Sequence, residues 1–241
     1  METHSHELIT RVLGRSVDSE SLVGSIAEWI GGAIIEDRLH PGDDLNSVDL
    51  AKQFNTSRTP VREALLILEK EGLVTMLPRR RPYVAHISLR EVRDIYQVRA
   101  QVLMLAAELI VTTASDEAIA SLKAALAPIR EMVAARDVDG VFWASVAFRN
   151  QEADLCGNSQ VKRILDSLGL RTLQLRHLSI RLGYQVEQRL SIRELLVEAY
   201  MARDARLAVA LTRSMVLRSL AIIEQSGWTG FRAKKEDDEV A

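Results

Sequence analysis

The stretch of sequence that decides the fold runs from Leu45 to Val74 and reads LNSVDLAKQFNTSRTPVREALLILEKEGLV. Ser57 can cap a helix whose first turn holds Pro60, where the missing N–H of proline costs no hydrogen bond. The predicted apolar face of this helix is formed by Leu65, Leu66, Leu68 and Leu73, and Gly72 is typical of the residue just past a helix end. The pattern therefore predicts a helix that begins after Ser57 and ends at Gly72.

Shorter elements flank this helix on both sides. The predicted segments are a helix over 21–37, a helix over 48–54 capped by Ser47, β-strands over 74–77 and 83–85, and the turn Pro78-Arg79-Arg80-Arg81-Pro82 between the strands. Three helices followed by a small β-hairpin with a basic tip form the plan of a winged helix-turn-helix domain.

Charge is distributed unevenly along the chain. The whole sequence carries 31 Lys and Arg against 33 Asp and Glu, a net charge of −2, which gives no global sign of nucleic-acid binding. Residues 1–51 hold three basic and ten acidic side chains, whereas residues 52–81 hold seven basic and three acidic ones, a local balance of +4. Because phosphate contacts need only a handful of Lys and Arg on one surface, the segment 52–81 is the candidate DNA contact region.

Past residue 87 the sequence predicts a second, all-α domain. Ser88-Leu89-Arg90-Glu91 is a capping box, so the domain boundary is expected at 86–88. The predicted helices cover 88–113, 116–136, 138–156, 159–183, 187–202 and 204–226 and form a six-helix antiparallel bundle. The predicted organisation is a flexible arm over 1–18, the winged helix over 19–86, the bundle over 88–228 and a disordered tail over 229–241. The fold class is therefore mainly α.

Length and composition describe a soluble globular protein. The chain has 241 residues, of which 47% are hydrophobic and 27% charged, enough to bury a substantial core without disulfides. The single cysteine, Cys156, excludes an internal disulfide. No signal peptide and no uncharged apolar segment approaching ~18 residues is found, so we expect a cytoplasmic protein with no membrane partner.

The segment 45–74 resembles the winged helix of the GntR family of bacterial transcription regulators, and the SRTPVREAL core at 57–65 is highly specific. The helical remainder resembles the FCD effector domain of that family's FadR-type branch, so the resemblance covers roughly 20–226. It implies a regulator, most often a repressor, that binds a palindromic operator as a homodimer. The implied DNA-binding residues are Lys52, Ser57, Arg58, Thr59 and Arg62 on the helices, with Arg79, Arg80 and Arg81 in the wing.

The residues of the DNA motif suit this role on physical grounds as well. Arg58 and Arg62 are i,i+4 neighbours at the electropositive start of a helix, and arginine can bind guanine bidentately in the major groove. The wing departs from the family pattern, because Arg81 and Pro82 stand where a glycine and a small residue are usual. Two interpretations stay open for its arginines: insertion into a narrow minor groove, or contact with phosphate only.

The second domain departs from its family at the metal site. FCD domains commonly bind a divalent metal through one Asp and three His, and those positions fall here on Ser145, Arg149, Arg193 and Met215. A guanidinium cannot coordinate a cation, so we predict no metal and no other cofactor. Arg99 occupies the position of a family arginine that faces the ligand.

The helical periodicity places Arg99, Ser145 and Arg149 on inward faces, with Met215 in register with apolar neighbours. Converging buried guanidinium groups need an anion. In one interpretation Arg99, Arg149 and Arg193, with Ser145 and Met215, bind a small anionic effector, a carboxylate or a phosphate. In the other, the carboxylates of Glu152, Glu194 or Glu198 neutralise the arginines and the site is structural.

An all-α enzyme and a DNA-binding scaffold are the two alternative function classes. An all-α enzyme finds no support, because the sequence shows no paired carboxylates at a marked site, no Ser/His/Asp set, no HExxH and no phosphate loop, so no catalytic residue is predicted. A DNA-binding scaffold with an unresponsive pocket stays open. His177 is predicted to be a packed histidine and Cys156 a small core residue.

Overall fold

The computed structural model describes Ile9, residues 21–183 and residues 185–228. The predicted arm, apart from Ile9, and the predicted tail lie outside the described residues. The described helices are α1 (Leu22–Ile35), α2 (Ser47–Gln53), α3 (Arg58–Lys70), α4 (Leu89–Thr113), α5 (Asp116–Ala124), α6 (Ala127–Ala134), α7 (Val138–Leu155), α8 (Ser159–Ser167), α9 (Gly169–Gly183), α10 (Val186–Met201) and α11 (Ala205–Gln225), and the strands are β1 (Val74–Thr75) and β2 (Tyr83–Val84). The mainly α fold class is confirmed.

The described chain divides into two compact units. The first contains Ile9, residues 21–91, residues 169–175 and Trp228, and the second contains residues 92–168, 176–183 and 185–227. In the first unit, α1 and α2 pack against α3, and β1 pairs antiparallel with β2 so that Val74 lies opposite Val84. This is the predicted three-helix arrangement with a small hairpin, although the strands are shorter than expected.

The buried face of α3 holds the first unit together. Val61, Ala64, Leu65 and Leu68 are fully buried, whereas Leu66, which the sequence placed on the same face, is 46% exposed. The prediction for Leu66 is wrong because neighbouring residues of a helix are about 100° apart around its axis, so Leu66 cannot share the buried face with Leu65. Burying this stripe leaves the opposite face of α3 free to contact a ligand.

The ends of α2 and α3 are fixed by local geometry. Asn46, and not the predicted Ser47, is the N-cap of α2: its Oδ1 accepts a hydrogen bond from the Val48 N–H at 3.0 Å. Asparagine and serine are equally good caps, so two adjacent candidates cannot be separated by sequence. Asn55 follows α2 with φ +49, and Gly72 follows α3 with φ +73. Both lie in the left-handed region that suits asparagine and glycine after a helix end.

Two predicted helices of the second domain are each divided in two. The segment 116–136 forms α5 and α6, because Pro128 lacks an N–H and is accommodated in the first turn of a new helix. The segment 159–183 forms α8 and α9, because Gly169, the first residue of α9, adopts φ +67 and interrupts the helical path. The other predicted helices are found, with boundaries shifted by one or two residues.

The predicted capping box at the start of α4 is confirmed, and other helices of the second domain also begin at a capping side chain. Ser88 N–H donates to Glu91 Oε2 at 2.9 Å and Glu91 N–H donates to Ser88 Oγ at 3.1 Å, the two bonds of a capping box. Asn158 caps α8 and Asp204 caps α11 through their side chains. Cys156 is buried in the core of the second unit, as predicted.

Among the described helices, α4 alone has the length and the apolar composition that a membrane-spanning helix needs. Its inward face is buried inside the second unit and includes Tyr96, Leu103 and Ile110. The same face carries the charged Arg99. Because this face packs against other helices, the apolar composition of α4 is that of a core helix.

Candidate functional sites

The first candidate site is the exposed face at the N-terminus of α3. Arg58, Thr59 and Arg62 are exposed, on the side opposite to the buried Val61 and Leu65. The N-cap Ser57 makes no side-chain capping hydrogen bond, so its hydroxyl is available to a ligand. Free backbone N–H groups and two arginines at a helix start make an electropositive surface suited to phosphate and to base edges.

Lys52 extends this surface onto α2. Its side chain is exposed, and it lines a shallow groove together with Thr56, Ser57 and Arg58. The tight turn at Asn55 places the end of α2 beside the start of α3. The five residues that the sequence predicted on the two helices therefore belong to one exposed surface, and their role in DNA binding remains a prediction.

The wing forms a β-turn between β1 and β2. Arg80 N–H donates to Leu77 O at 3.2 Å, and Arg79 at the third position of that turn has φ +61. A positive φ at this position, after a proline, is the geometry of a type II turn, which usually takes glycine. The position that requires a left-handed backbone is thus Arg79, two residues before the position where the family usually has glycine.

The three wing arginines are exposed but not equivalent. Arg81 Nη1 lies 3.4 Å from Asp44 Oδ2 in an exposed ion pair. The side chains of Arg79 and Arg80 make no hydrogen bond or ion pair with any residue that the structure describes. They are the wing side chains free to contact a nucleic acid.

The second candidate site is a cavity in the second unit, which we call the arginine cavity. The five residues that the sequence predicted for effector binding all line it: Arg99 from α4, Ser145 and Arg149 from α7, Arg193 from α10 and Met215 from α11. The three arginines are each only 7% exposed. The cavity has a volume of about 70 Å³, which is room for roughly five water molecules. That volume suits a small molecule.

Three more arginines that the sequence analysis missed also line the arginine cavity. Arg176 on α9 donates to Ser145 O at 3.4 Å, and Arg189 on α10 donates to Ser179 O at 2.8 Å. Arg218 on α11 is exposed and donates to Gln188 Oε1 at 3.1 Å. Arg189 precedes Arg193 by one helical turn, so the i,i+4 spacing was the signal that could have found it.

Only one carboxylate in the described part of the chain is bonded to an arginine of this cavity. Arg149 Nη1 lies 2.7 Å from Glu152 Oε2, and Tyr200 Oη donates to Glu152 Oε1 at 2.8 Å. Of the other two carboxylates weighed as counter-ions, Glu194 pairs with Arg130 at 2.8 Å and Glu198 is exposed. Among the described lining residues there are six arginines and no Asp or Glu.

The remaining contacts of the inner arginines are weak. Arg149 Nη2 lies 3.6 Å from Met215 Sδ, and the Arg193 guanidinium lies 5.4 Å from the Phe148 ring centroid. Arg193 Nε has no hydrogen-bond partner within the described residues. The Arg99 guanidinium lies 6.0 Å from the Tyr96 ring centroid. Buried positive charge in this cavity is therefore largely uncompensated.

Burial and mutual repulsion lower the proton affinity of these arginines. Burial, with Arg149 adding repulsion, lowers the pKa of Arg193 to about 9 and that of Arg99 to about 10. Burial first, then Arg99 and Arg149, hold the pKa of Arg176 well below its usual range. With pKa values of about 9 and about 10, Arg193 and Arg99 remain charged at neutral pH, so an anion entering the cavity would relieve both effects.

The lining residues do not fit the divalent metal that the FCD resemblance implies. Ser145, Arg149, Arg193 and Met215 offer no carboxylate or imidazole, and the surrounding guanidinium groups would repel a cation. Within the described residues no group of three or more His, Cys, Asp or Glu side chains comes together. The donor set favours an anion instead.

His177 lies outside the set of residues that line the arginine cavity. It is fully buried, its Nε2 lies 2.7 Å from Asp139 Oδ1, and its ring packs against Phe142 with centroids 4.9 Å apart. These contacts agree with the predicted packing role.

Two family descriptions match the chain. Residues 22–84 match "Bacterial regulatory proteins, gntR family", and residues 94–218 match "FCD domain". The gluconate operon transcriptional repressor of Bacillus licheniformis is 26% identical over 195 residues, which are 78% of this chain and 75% of that protein. The solved structure of Escherichia coli McbR/YncC has a TM-score of 0.71 at 21% identity, covers 85% of this chain and 98% of that one, and shows the same fold.

Higher identity is found over the N-terminal part. An HTH-type transcriptional regulator of Bacillus subtilis, YdhC, is 36% identical over 83 residues, which are 34% of this chain and 37% of that protein. The chain spans 37% to 54% of the length of the first curated relatives that it matches. The two domain matches follow one another along the chain, and the FCD match covers more than half of the chain's residues. The chain therefore belongs to the GntR family of bacterial regulatory proteins and carries an FCD domain.

Proposed function

We propose that this protein is a DNA-binding transcription regulator that recognises its operator through the N-terminus of α3. The observation that carries this is the exposed pair Arg58 and Arg62 at the start of a helix whose other face is buried. The wing supports it, because Arg79 and Arg80 are exposed and unpaired within the described structure. Such a protein acts in the cytoplasm and needs no catalytic residue.

The protein acts as a homodimer on a palindromic operator. A single winged helix offers few base contacts, and two of them on half-sites about one helical turn apart double those contacts without a larger surface. We propose repression as the mode of action, since the Bacillus licheniformis relative carries the name of a repressor.

The DNA-binding proposal is tested by gel shift on the DNA upstream of the protein's own gene. The double variant R58A/R62A is expected to lower affinity by at least about tenfold, since one bidentate arginine–base contact contributes about 1–3 kcal/mol. K70A is the matched control, because Lys70 is exposed at the opposite end of α3. Equal DNA binding by wild type and R58A/R62A would refute the assignment of α3.

The effector proposed for the FCD domain is a small anion, a carboxylate or a phosphate, held in the arginine cavity without a metal. The carrying observation is the set of buried arginines there, with one bonded carboxylate, Glu152. Such a ligand would shift the protein between conformations of different operator affinity. In the internally neutralised alternative Glu152 would be the counter-ion, since it pairs with Arg149, whereas Glu194 pairs with Arg130 and Glu198 is exposed.

Thermal-shift screening of the full chain with organic acids and sugar phosphates tests the effector proposal. A binding anion is expected to raise the unfolding temperature of wild type and to change its gel shift, and R99M is expected to lose both effects. Zn²⁺, Ni²⁺ and Mn²⁺ are expected to bind neither form, which elemental analysis after dialysis measures. The absence of stabilisation by any anion would favour the scaffold alternative.

A further inference from the structure

We infer that the arginine cavity recognises a dianion, a short molecule with one anionic group at each end, through two separate groups of arginines. This inference rests on the proposed anion-binding function and makes it narrower. The inner group is Arg99, Arg149 and Arg193, each almost completely buried. The outer group is Arg189 and Arg218, which are half-buried and exposed, respectively, and so lie nearer to the opening.

The inner group is built to receive one anionic group. Glu152 compensates Arg149, and Tyr200 holds the other oxygen of that carboxylate. The Nε of Arg193 has no hydrogen-bond partner among the described residues, and the Arg99 guanidinium lies 6.0 Å from the Tyr96 ring centroid, although both residues are more than nine-tenths buried. Unpaired buried donors of this kind are costly unless a ligand meets them.

The outer group is held in place by neutral partners. Arg189 donates to Ser179 O at 2.8 Å and to Ser219 Oγ at 3.3 Å, and Arg218 donates to Gln188 Oε1 at 3.1 Å. These contacts orient the guanidinium groups, and neither arginine pairs with a carboxylate among the residues that the structure describes. An oriented, uncompensated pair of guanidinium groups is a second recognition point for a carboxylate or a phosphate.

The two groups are separated by about one helical turn. On α11, Met215 contacts Arg149 of the inner group, and Ser219, four residues further on, contacts Arg189 of the outer group. Four residues of α-helix rise ~6 Å. The wall also carries aliphatic side chains, those of Ile180, Val216 and Ile222. This arrangement fits two anionic groups joined by a short aliphatic chain, as in a dicarboxylate or a phosphorylated hydroxy acid.

The test compares dianions with monoanions of the same length on the full-length protein. Straight-chain dicarboxylates from malonate to adipate are titrated calorimetrically beside their monomethyl esters, and 3-phosphoglycerate is titrated beside glycerate to separate phosphate from carboxylate recognition. Wild type is expected to bind at least one dianion about tenfold or more tightly than its monoanionic partner, as a charge-assisted contact would give.

Variants of the outer group assign that preference. R218Q and R189Q are expected to bring the dianion affinity to within about threefold of the monoanion affinity while the monoanion affinity itself is kept. R213Q is the matched control, because Arg213 is an exposed arginine on the same helix and does not line the cavity. Circular dichroism checks folding, and the exposed position of Arg218 makes R218Q the variant least disturbing to the core.

Each other outcome has a definite meaning. Equal binding of dianions and monoanions by wild type, or a preference that R218Q and R189Q both keep, would overturn the two-group inference while anion binding itself stands. Failure of every probe to bind wild type would overturn the proposed anion effector as well.

Discussion

Replacing Arg193 by methionine should make the ligand-free protein more stable. Arg193 is 7% exposed, its Nε has no hydrogen-bond partner in the described structure, and Arg149 and Arg189 repel it. Methionine fills a similar volume and can keep the contact with the Phe148 ring. R193M removes a buried charge and leaves no buried polar group behind.

The expected size of the effect follows from the proton affinity of Arg193. Its pKa falls from 12.5 to about 9, and at about 1.4 kcal/mol for each tenfold change this corresponds to about 5 kcal/mol as an upper bound. Replacing buried ionic groups by apolar ones of similar volume stabilises proteins by about 1–4 kcal/mol. We expect R193M to raise the free energy of unfolding by about 1–4 kcal/mol. The melting temperature should rise by about 2–4 °C for each kcal/mol.

The effect has a defined pH dependence. Below pH 9 Arg193 is protonated in both the folded and the unfolded chain, so the full cost of its charge is present. As the pH rises above 9, the folded protein releases the proton before the unfolded chain does, and the cost declines. The stability gap between R193M and wild type should therefore be constant from pH 6 to 8 and narrow above pH 9.

Scanning calorimetry of the full chain in a buffer free of phosphate and carboxylate measures this gap. R213M is the control for the loss of one positive charge, because Arg213 is exposed on α11, and it should change stability by no more than about 0.5 kcal/mol. A lower stability of R193M than of wild type at pH 7 would show that the charge of Arg193 is compensated inside the protein, and the reasoning would fail.

Three further predictions concern single residues. E152L leaves Arg149 buried without its ion-pair partner and should lower the free energy of unfolding by about 3–5 kcal/mol in urea denaturation; an unchanged midpoint would contradict the pairing. G72A should lower the melting temperature, because φ is +73 and a Cβ would lie 2.7 Å from Arg171 Nε; normal stability would argue against this backbone conformation. R79G should raise stability by up to about 1 kcal/mol by relieving φ +61, and should reduce the salt dependence of DNA binding; an unchanged salt dependence would show that Arg79 contacts no phosphate.

The winged-helix unit was predictable to within a few residues because its signals are local. Ser57, Pro60 and Gly72 mark the limits of α3 within one continuous segment, and the buried stripe follows from helical periodicity. The errors were of the same local kind. Asn46 and Ser47 are adjacent residues of equal capping strength, and Pro128 is compatible both with a kinked helix and with the start of a new one.

The arginine cavity was predictable only in part. The resemblance to FCD domains placed Arg99, Arg149 and Arg193 in one site, and the structure brings them together. The resemblance gave no reason to add Arg176 to this site. Since α9 carries polar residues at several buried positions, helical periodicity does not distinguish an arginine that lines the cavity from one that packs in the core.

The sequence by itself determined the family, the position of helix α3 and the mismatch between the cavity residues and a divalent metal, because each depends on residue type and spacing along one segment. The tertiary structure alone decided how the arginine charges are compensated. Glu152, Glu194 and Glu198 were equal candidates in the sequence, but only Glu152 reaches a cavity arginine, while Glu194 pairs with Arg130. Charge compensation depends on distances between helices far apart in the chain, and helical periodicity within one segment carries no information about them.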